Sequence, residues 1–293
     1  MTGDAGRSMT VGVVGLGRMG AAIASHLARR RPVIGWDVRD VVPPGVRRAE
    51  DASDVFTASG VVLGCLPSPR DTAEVLLDPA VSTAFDGGEA VFVDCSTSDP
   101  ASLRSTVERL GSARARVLDG PILGRPDRVG AWTVPLGGPV EAAERVRAVL
   151  EELATRVEHV GELGSGHAVK LLNNLMFAAI NVVTAEAIAS CDRVGIDPRR
   201  FVELVAGSHA ATVSPLFRDL APRMLGDRDD VVFSTALLHK DASLARAMCE
   251  AAGVPLRLAP ALEAAAKAAV DAGYGEEDSS AVVRLYDRGP AKP

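Results

Sequence analysis

Short apolar runs alternate with segments of helical spacing over the first half of the chain. Runs of this length and composition are typical of buried strands. Because β and α segments alternate, the pattern predicts a parallel sheet covered by helices on both faces. The predicted strands are Thr10–Val14, Pro32–Trp36, Val61–Leu66, Ala90–Asp94, Arg116–Asp119, Thr133–Gly137 and Val157–Val160, and the predicted helices are Ala21–Arg30, Asp71–Leu77, Pro100–Leu110 and Val140–Leu153.

The stretch from Gly164 to Gly195 predicts one long helix at the centre of the chain. Apolar residues spread round most of its circumference, so we expect the helix to be buried. Its polar exceptions fall in one narrow arc and are Lys170, Asn174, Asn181 and Thr184. A buried lysine needs a partner or a wet cleft. The alternative is that the lysine snorkels at the helix end while the asparagines bond neighbouring helices.

Beyond Gly195 only helical spacing is present. Gly253, Gly273 and several prolines separate the segments. The sequence therefore predicts an all-helical second half. Its helices are expected over Pro198–Ala206, Pro215–Leu225, Ala236–Ala252, Pro260–Ala272 and Ser279–Tyr286.

A glycine-rich turn follows the first strand and leads directly into the first helix. This is the setting in which the pattern G-x-G-x-x-G binds a dinucleotide, because backbone N–H groups can approach a pyrophosphate at the helix N-terminus. A glycine-rich turn without a ligand is the alternative. The predicted cofactor contacts are Gly15, Leu16, Gly17, Arg18, Met19 and Gly20.

Asp37 ends the second strand, 17 residues after Gly20. An acid near this offset binds the hydroxyls of the adenosine ribose and repels a 2′-phosphate, which favours NAD over NADP. Arg39 favours NADP instead, because a nearby arginine can bind that phosphate. The alternative role for Asp37 is that of an ordinary turn residue.

Ligands of such sheets bind at the carboxyl ends of the strands. Leu66, Pro67, Ser96 and Thr97 occupy these positions in the sequence and are predicted to line the nicotinamide half of the cofactor. The alternative for the serines at 96–98 is helix capping before Asp99.

Composition excludes several classes of function. The chain has 293 residues, 47% of them hydrophobic, and a net charge of −6 without a long basic run, so nucleic acid or an anionic membrane is not expected as a partner. We expect no transmembrane helix and no signal peptide. Scattered cysteines without ligand spacing predict reduced thiols, no metal site and a cytoplasmic protein. They are Cys65, Cys95, Cys191 and Cys249.

Five motifs in order resemble the β-hydroxyacid dehydrogenase family, which includes 3-hydroxyisobutyrate dehydrogenases and tartronate semialdehyde reductases. They are GLGRMG, CLPSP, DCSTSDP, DGPILG and GSGHAVKLLNN. The resemblance covers residues 10–285. It implies a Rossmann-type doubly wound α/β domain at 9–163 and an all-α domain of the 6-phosphogluconate dehydrogenase type at 164–293, joined by the long helix. It also implies a homodimer or homotetramer.

The resemblance implies hydride transfer between NAD(P) and a small 3-hydroxy acid or its semialdehyde. Lys170 would be the general acid/base, and Asn174 would hold the substrate oxygen or the lysine. Lys240 would face the cofactor and substrate, supported by Asp241; the alternative for these two residues is a solvated Lys-Asp pair at a helix start. A lysine base must be uncharged, and burial or a positive neighbour such as Lys240 favours that form. His167, one turn before Lys170, is interpreted as structural, with tuning of the lysine as the alternative.

The predicted substrate loop departs from the family pattern D-A-P-V-S-G-G. Leu123 replaces the serine and cannot donate a hydrogen bond from its side chain, and Arg125 follows Gly124 in place of a glycine. Leu123, Gly124 and Arg125, with Lys170 and Asn174, remain the predicted substrate contacts. Either Arg125 takes over recognition of an anion, or the substrate is less polar than is usual in the family.

Two other functions stay open. Residues 126–130, PDRVG, resemble the corresponding loop of the imine reductases, which share the two-domain build, usually prefer NADPH and generally lack the lysine. Lys170 and Asp37 argue against an imine reductase. A non-catalytic dinucleotide sensor is disfavoured because Lys170, Asn174 and Lys240 are all present.

Overall fold

The computed structural model describes residues 9–208 and 214–286. The chain divides into two compact units, called here the N-terminal unit, which ends at Lys170, and the C-terminal unit, which begins at Leu171. The division falls inside the long helix, whereas the domain boundary predicted between residues 163 and 164 falls before it.

The N-terminal unit contains one eight-stranded sheet. Its strands are β1 Val11–Val14, β2 Val33–Trp36, β3 Arg47–Arg48, β4 Val61–Gly64, β5 Val91–Asp94, β6 Val117–Asp119, β7 Trp132–Gly137 and β8 Ala154–Gly161. They lie in the order β3-β2-β1-β4-β5-β6-β7-β8. The strand order reverses between β1 and β4, and the crevice at such a reversal is where doubly wound sheets bind ligands.

The direction of β7 corrects the expectation of a wholly parallel sheet. β7 is antiparallel to β6, with Asp119 opposite Gly137, and β8 runs parallel to β7. A bridge between Leu123 and Thr133 continues the same register beyond β6. A parallel crossover usually needs a helix, and residues 120–131 contain only a short 3-10 turn at Pro126–Arg128, so the chain folds back as a hairpin.

Helices of the N-terminal unit begin where the sequence supplies capping residues. Ser68, Asp78 and Asp99 each accept a backbone N–H of the first turn and precede a proline at the first helical position. Because Asp99 is the cap, the serines at 96–98 are not needed for that role. The helices are α1 Arg18–Leu27, α2 Ala52–Ala58, α3 Pro69–Leu76, α4 Pro79–Gly87, α5 Pro100–Glu108, α6 Val140–Leu150 and the start of α7, Ser165–Cys191.

Both faces of the sheet are buried. Val61 and Leu63 of β4 point into one apolar cluster, and Val62 between them points into the other. This alternation explains why the strand sequences are continuously apolar. The confirmed fold is the expected α/β sheet followed by a helical region that starts with the long helix.

The helices and turns of the described part of the C-terminal unit are joined by irregular segments and by one isolated bridge between Ser234 and Asp278. α7 ends at Cys191 and is followed by a 3-10 turn and by Gly195, whose φ of 78° lies in the left-handed region that favours glycine. Ala178, Val182 and Ile188 of α7 pack into the core of this unit. The other elements are α8 Pro198–Gly207, α9 Pro215–Met224, α10 Thr235–Ala251, α11 Ala259–Ala269, a π turn at Val270–Tyr274 and a 3-10 helix at Ser279–Tyr286.

One face of α7 corrects the expectation that the helix is buried all round. Leu172, Met176 and Val183 are 48%, 67% and 58% exposed. Residues Ser165–Val194 are also long and apolar enough to span a membrane by length and composition alone. That is weak evidence, since the core helix of a soluble protein meets the same criterion, and the absence of a membrane span stays a prediction.

Candidate active site

The turn between β1 and α1 has the geometry of a dinucleotide cradle. Gly15 has a φ of 88°, and a Cβ there would lie 2.4 Å from the carbonyl oxygen of Cys65. A Cβ on Gly20 would lie 1.8 Å from the Gly15 carbonyl oxygen. Gly17 differs, because its Cβ would meet no atom closer than an Arg39 side-chain nitrogen at 3.9 Å. The chain itself therefore requires Gly15 and Gly20, whereas the open approach at Gly17 fits a pyrophosphate.

The other predicted residues of this turn are close to Gly17 in the chain. Leu16 is buried, Arg18 is exposed and Met19 is half-buried. The N-cap of α1 is Gly17, which has no side chain to cap the helix, and Arg18 follows it. A helix start of this kind directs backbone N–H groups at an anion, and the residues present fit the phosphates of a dinucleotide.

Asp37 is fixed by hydrogen bonds from two sides. Its Oδ2 accepts the N–H of Leu16 at 2.7 Å, and its Oδ1 accepts the backbone N–H and Nε of Arg39 at 2.8 and 3.0 Å. Burial alone raises the pKa of the Asp37 carboxyl, but the hydrogen bonds from Arg39 and Leu16 outweigh it and bring the net pKa below its ordinary value. The carboxylate at the end of β2 is therefore charged at neutral pH.

The carboxyl ends of β4 and β5 are joined by side chain to backbone hydrogen bonds. Ser96 Oγ accepts the N–H of Leu66 at 2.9 Å, and Asp94 Oδ1 accepts the N–H of Ser96 at 3.0 Å. Pro67 is exposed and Thr97 is half-buried, each next to one of these residues. The four predicted cofactor contacts thus lie in two loops that are tied to each other.

Two cysteines directly follow these same strands. The pairing of β4 with β5 ends at Gly64 opposite Asp94, which makes Cys65 and Cys95 neighbours. Hydrogen bonding to Cys65, together with burial, raises the pKa of the Cys95 thiol well above its usual range. All four cysteines are free thiols in the structure.

Asp119 anchors the start of α7 and was not identified from the sequence. Its Oδ1 accepts the N–H of Gly164 at 2.6 Å and its Oδ2 accepts the N–H of His167 at 2.7 Å. A Cβ on Gly166 would lie 2.4 Å from the Pro135 carbonyl oxygen, so the glycine permits the close approach of the helix to the hairpin. The signals were the aspartate that opens DGPILG and the glycines of GSG, but sequence alone does not pair them.

Lys170 lies on the second turn of α7 and is half-buried. Its Nζ donates to the carbonyl oxygen of Ile122 at 2.7 Å. The structure thus brings Lys170 to the residue that precedes the predicted substrate loop.

The substrate loop itself is held by its backbone. Leu123 exchanges two backbone hydrogen bonds with Thr133, at 2.9 and 3.2 Å. The Trp132 indole donates to the carbonyl oxygen of Arg125 at 2.8 Å, and a Cβ on Gly124 would lie 2.1 Å from the indole ring. The absence of a side chain at Gly124 therefore allows Trp132 to pack against the loop. The backbone of Arg125 is held by the indole, while its side chain is exposed.

Within the C-terminal unit, Asp241 connects the other predicted residues. Asn174 is 7% exposed and donates from Nδ2 to Asp241 Oδ2 at 2.6 Å, while its Oδ1 accepts from Asn173 at 3.1 Å. Lys240 Nζ lies 3.3 Å from Asp241 Oδ1. Further along α7, Asn181 donates to Ser279 Oγ at 2.9 Å, as expected of an asparagine that bonds a neighbouring segment.

No group of three or more His, Cys, Asp or Glu side chains within residues 9–208 and 214–286 could hold a metal ion. The polar groups described above are the Lys170 amine, the Asn174 amide and the carboxylates of Asp37 and Asp241. Groups of this kind suit a dinucleotide and a small polar substrate.

Two family models match successive parts of the chain. The NAD binding domain of 6-phosphogluconate dehydrogenase matches residues 10–161. The model described as NAD-binding of NADP-dependent 3-hydroxyisobutyrate dehydrogenase matches residues 164–286. With the fold and the glycine cradle, these matches define an NAD(P)-dependent oxidoreductase.

Individual proteins agree with this class. The L-threonate dehydrogenase of Cupriavidus necator is 29% identical over 293 residues, spanning 95% of this chain and 96% of the relative. A solved 3-hydroxyisobutyrate dehydrogenase from Salmonella typhimurium matches with a TM-score of 0.81 at 26% identity, over 95% of this chain and 100% of that chain. A solved imine reductase from Streptomyces aurantiacus matches with a TM-score of 0.62 at 22% identity, over 95% and 100%, which shows the fold alone.

The chain belongs to the β-hydroxyacid dehydrogenase family, that of 3-hydroxyisobutyrate dehydrogenase. It is an NAD(P)-dependent dehydrogenase that acts on hydroxy acids. The resemblance drawn from the five sequence motifs is therefore confirmed.

Proposed function

We propose that the enzyme transfers a hydride between NAD and a small 3-hydroxy acid or its semialdehyde, with Lys170 as general acid/base. The observation that carries the proposal is the position of Lys170. Lys170 is half-buried, and its Nζ lies 2.7 Å from the carbonyl oxygen of Ile122, the residue before Leu123. An amine held at this position, beside the predicted substrate loop, can exchange a proton with a substrate hydroxyl.

The protein's own part of the reaction is proton transfer and orientation. In the oxidative direction Lys170 Nζ accepts the proton of the substrate hydroxyl, and in the reductive direction it returns that proton to the forming alkoxide. The bound nicotinamide supplies the acceptor or donor of the hydride. The Ile122 carbonyl holds the amine in place and thereby fixes the direction from which the proton is exchanged.

The preference for NAD is supported by the charge of Asp37. The carboxylate is ionised at neutral pH and lies beside the dinucleotide cradle, where it favours ribose hydroxyls and repels a 2′-phosphate. Arg39 reduces this repulsion by its paired hydrogen bonds to the same carboxylate. We therefore infer a preference for NAD that is moderated by Arg39.

Asn174 and Lys240 are proposed to assist. Asn174 follows Lys170 by four residues on α7, a spacing that places the two side chains on the same helix face. Asp241 binds the Asn174 amide and lies within ion-pair distance of Lys240, so one carboxylate sets the positions of both. We propose that Asn174 contacts the substrate oxygen and that Lys240 contacts the cofactor.

The substrate is proposed to be a small hydroxy acid recognised differently from the family pattern. Leu123 offers no side-chain donor for a carboxylate, and its backbone N–H is already bonded to Thr133. Arg125 follows Leu123 by two residues in this loop, and its guanidinium can bind a carboxylate through two parallel hydrogen bonds. We propose Arg125 for that role; the relative that acts on L-threonate shows that the family accepts more than one acid.

We also propose a homo-oligomer in the cytoplasm. The exposed apolar residues Leu172, Met176 and Val183 follow one face of α7, and a face of this kind is stabilised when a second copy covers it. The free cysteines are consistent with a reducing compartment.

Turnover measured by reduced-nicotinamide absorbance tests the proposed reaction. One plate would contain short 3-hydroxy acids with NAD and with NADP, and cyclic imines with NADH and with NADPH. We expect oxidation of one or more 3-hydroxy acids, faster with NAD. Reduction of imines alone would favour the imine reductase alternative, and binding of NADH without any turnover would favour a sensor.

A further inference from the structure

Two fully buried polar side chains, one in the first turn of α7 and one at the end of β5, have atoms without a hydrogen-bond partner among the described residues. His167 and Asp94 are both 0% exposed. Within residues 9–208 and 214–286, neither ring nitrogen of His167 has a hydrogen-bond partner, and neither does Asp94 Oδ2. His167 Nε2 and Asp94 Oδ2 lie 3.8 Å apart. Because buried polar atoms are almost always paired, this facing arrangement indicates an interaction between the two side chains.

The surrounding charges indicate which interaction forms. Asp94 and Asp119 are register partners on β5 and β6, so two buried carboxylates lie side by side. Asp119 is compensated by the backbone N–H groups of Gly164 and His167 at the positive end of α7. Asp94 receives one backbone N–H, from Ser96, at Oδ1. A hydrogen-bond donor at Oδ2 removes the cost of burying the rest of that carboxylate.

We propose that His167 donates a hydrogen bond from Nε2 to Asp94 Oδ2 and thereby positions the helix turn that carries Lys170. A charge-assisted bond of this kind is about 2.8 Å long, so the two side chains close by about 1 Å from the separation seen here. His167 precedes Lys170 by three residues and therefore lies on the same helix face. His167 is a positioning residue, and its effect on turnover rests on the proposed role of Lys170.

The pair also connects Lys170 to the loops proposed to line the nicotinamide. The N–H of Leu66 binds Ser96 Oγ, and the N–H of Ser96 binds Asp94 Oδ1. His167 extends this series of contacts from the ends of β4 and β5 to α7. One buried carboxylate thus sets the distance between the cofactor loops and the proposed base, and a displacement of about 1 Å in such a geometry can cost about 100-fold in rate.

A spectroscopic experiment tests the bond independently of catalysis. Protein labelled with ¹⁵N-histidine is compared with His167→Gln, which assigns the signal, and with Asp94→Asn, which replaces the carboxylate acceptor. We expect one slowly exchanging ring N–H resonance that is absent in His167→Gln and shifted in Asp94→Asn. A His167 ring that exchanges freely, or that does not respond to Asp94→Asn, would overturn the proposal.

Kinetics test the positioning role. His167→Leu removes the donor, whereas His167→Gln keeps one. We expect kcat to fall about tenfold to 100-fold in His167→Leu and to recover most of that loss in His167→Gln, with KM for NAD within about threefold of wild type. His159→Leu, on the exposed strand β8, is the matched control and should retain kcat.

Retention of wild-type kcat in His167→Leu would contradict the positioning role. If His167→Leu does not fold, the spectroscopic comparison and the His167→Gln kinetics still decide the question. If Lys170→Ala remains active, the proposed function fails, and the hydrogen bond between His167 and Asp94 is judged by its resonance alone.

Discussion

The two units of the chain differ in how completely they cover their apolar surface. In the N-terminal unit, alternate residues of the central strands enter two buried clusters, one on each face of the sheet. In the C-terminal unit, α7 packs one side into a core and leaves Leu172, Met176 and Val183 exposed. Apolar segments of similar composition are thus fully buried in the sheet but only partly buried in α7. The sheet is covered by its own chain, whereas we propose that the exposed face of α7 is covered by a second copy.

The largest expected effect comes from adding one methyl group to the N-terminal unit. In Gly20→Ala the new Cβ would lie 1.8 Å from the Gly15 carbonyl oxygen, which forces α1 away from the sheet. We expect a loss of about 2 kcal/mol or more in the free energy of unfolding, measured by denaturant titration, and loss of NAD binding.

Gly17→Ala sharpens that prediction, because its Cβ meets no neighbour closer than 3.9 Å. This variant should fold with nearly unchanged stability and bind NAD more weakly. The control is Gly87→Ala in α4, where a Cβ meets nothing within 4 Å. Equal stability losses in Gly17→Ala and Gly20→Ala would contradict the separate roles assigned to the two glycines.

The exposed face of α7 provides the next largest effect. Met176→Glu and Val183→Glu place charges on a surface that we propose is covered by a second copy. We expect each to weaken self-association by about tenfold or more, observed by analytical ultracentrifugation as a shift towards the monomer. Leu258→Glu alters a residue of similar exposure in the same unit and serves as the control. A monomeric wild-type protein would disprove the assignment.

A smaller effect is expected at the cofactor-selecting end of the N-terminal unit. Asp37→Ser removes the charged acceptor proposed for the ribose hydroxyls. The ratio of NAD to NADP affinity, measured by calorimetry, should fall by about tenfold. Arg39→Ala should change the ratio in the opposite direction, because the carboxylate loses its neutralising partner. An unchanged ratio in both variants would remove these residues from cofactor selection.

The smallest effect concerns the last described helix of the C-terminal unit. Burial, followed by the hydrogen bond to Glu186 and the charge of that residue, raises the pKa of Tyr286 from 10.0 to about 12. The raised pKa contributes stability that is complete below pH 10 and is lost as the pH rises through about 12. Wild type and Tyr286→Phe are each titrated by tyrosinate absorbance, and the difference between the two curves reports Tyr286. We expect this difference to change near pH 12, and a change near pH 10 would contradict the raised pKa.

Local patterns account for the part of the fold that could be predicted. The central strands, the glycine turn and the helices after Ser68 and Asp99 each carry their signal within a few residues. The helices α2 and α4 and the two-residue strand β3 were missed, because their apolar spacing is weak over such short lengths. The direction of β7 was also wrong, since it depends on the pairing of Leu123 with Thr133 across a loop.

The candidate site divides in the same way. Gly15, Gly17, Gly20 and Asp37 follow from motif spacing. Asp94, Asp119 and His167 belong to segments distant in the chain, and only the register of β5 with β6 and the start of α7 brings them together. Sequence reasoning noted the aspartates within motifs but could not show that one caps α7 and that the other faces a histidine.

The most direct test of the central claim is the kinetics and cofactor binding of Lys170→Ala. We predict that turnover of the best hydroxy acid falls by at least about 100-fold, while the dissociation constant for NADH, measured by fluorescence, stays within about threefold of wild type. Lys267→Ala, which alters a surface lysine of α11 paired with Asp271, should behave as wild type. Turnover of Lys170→Ala within about tenfold of wild type would contradict the assignment of Lys170 as general acid/base.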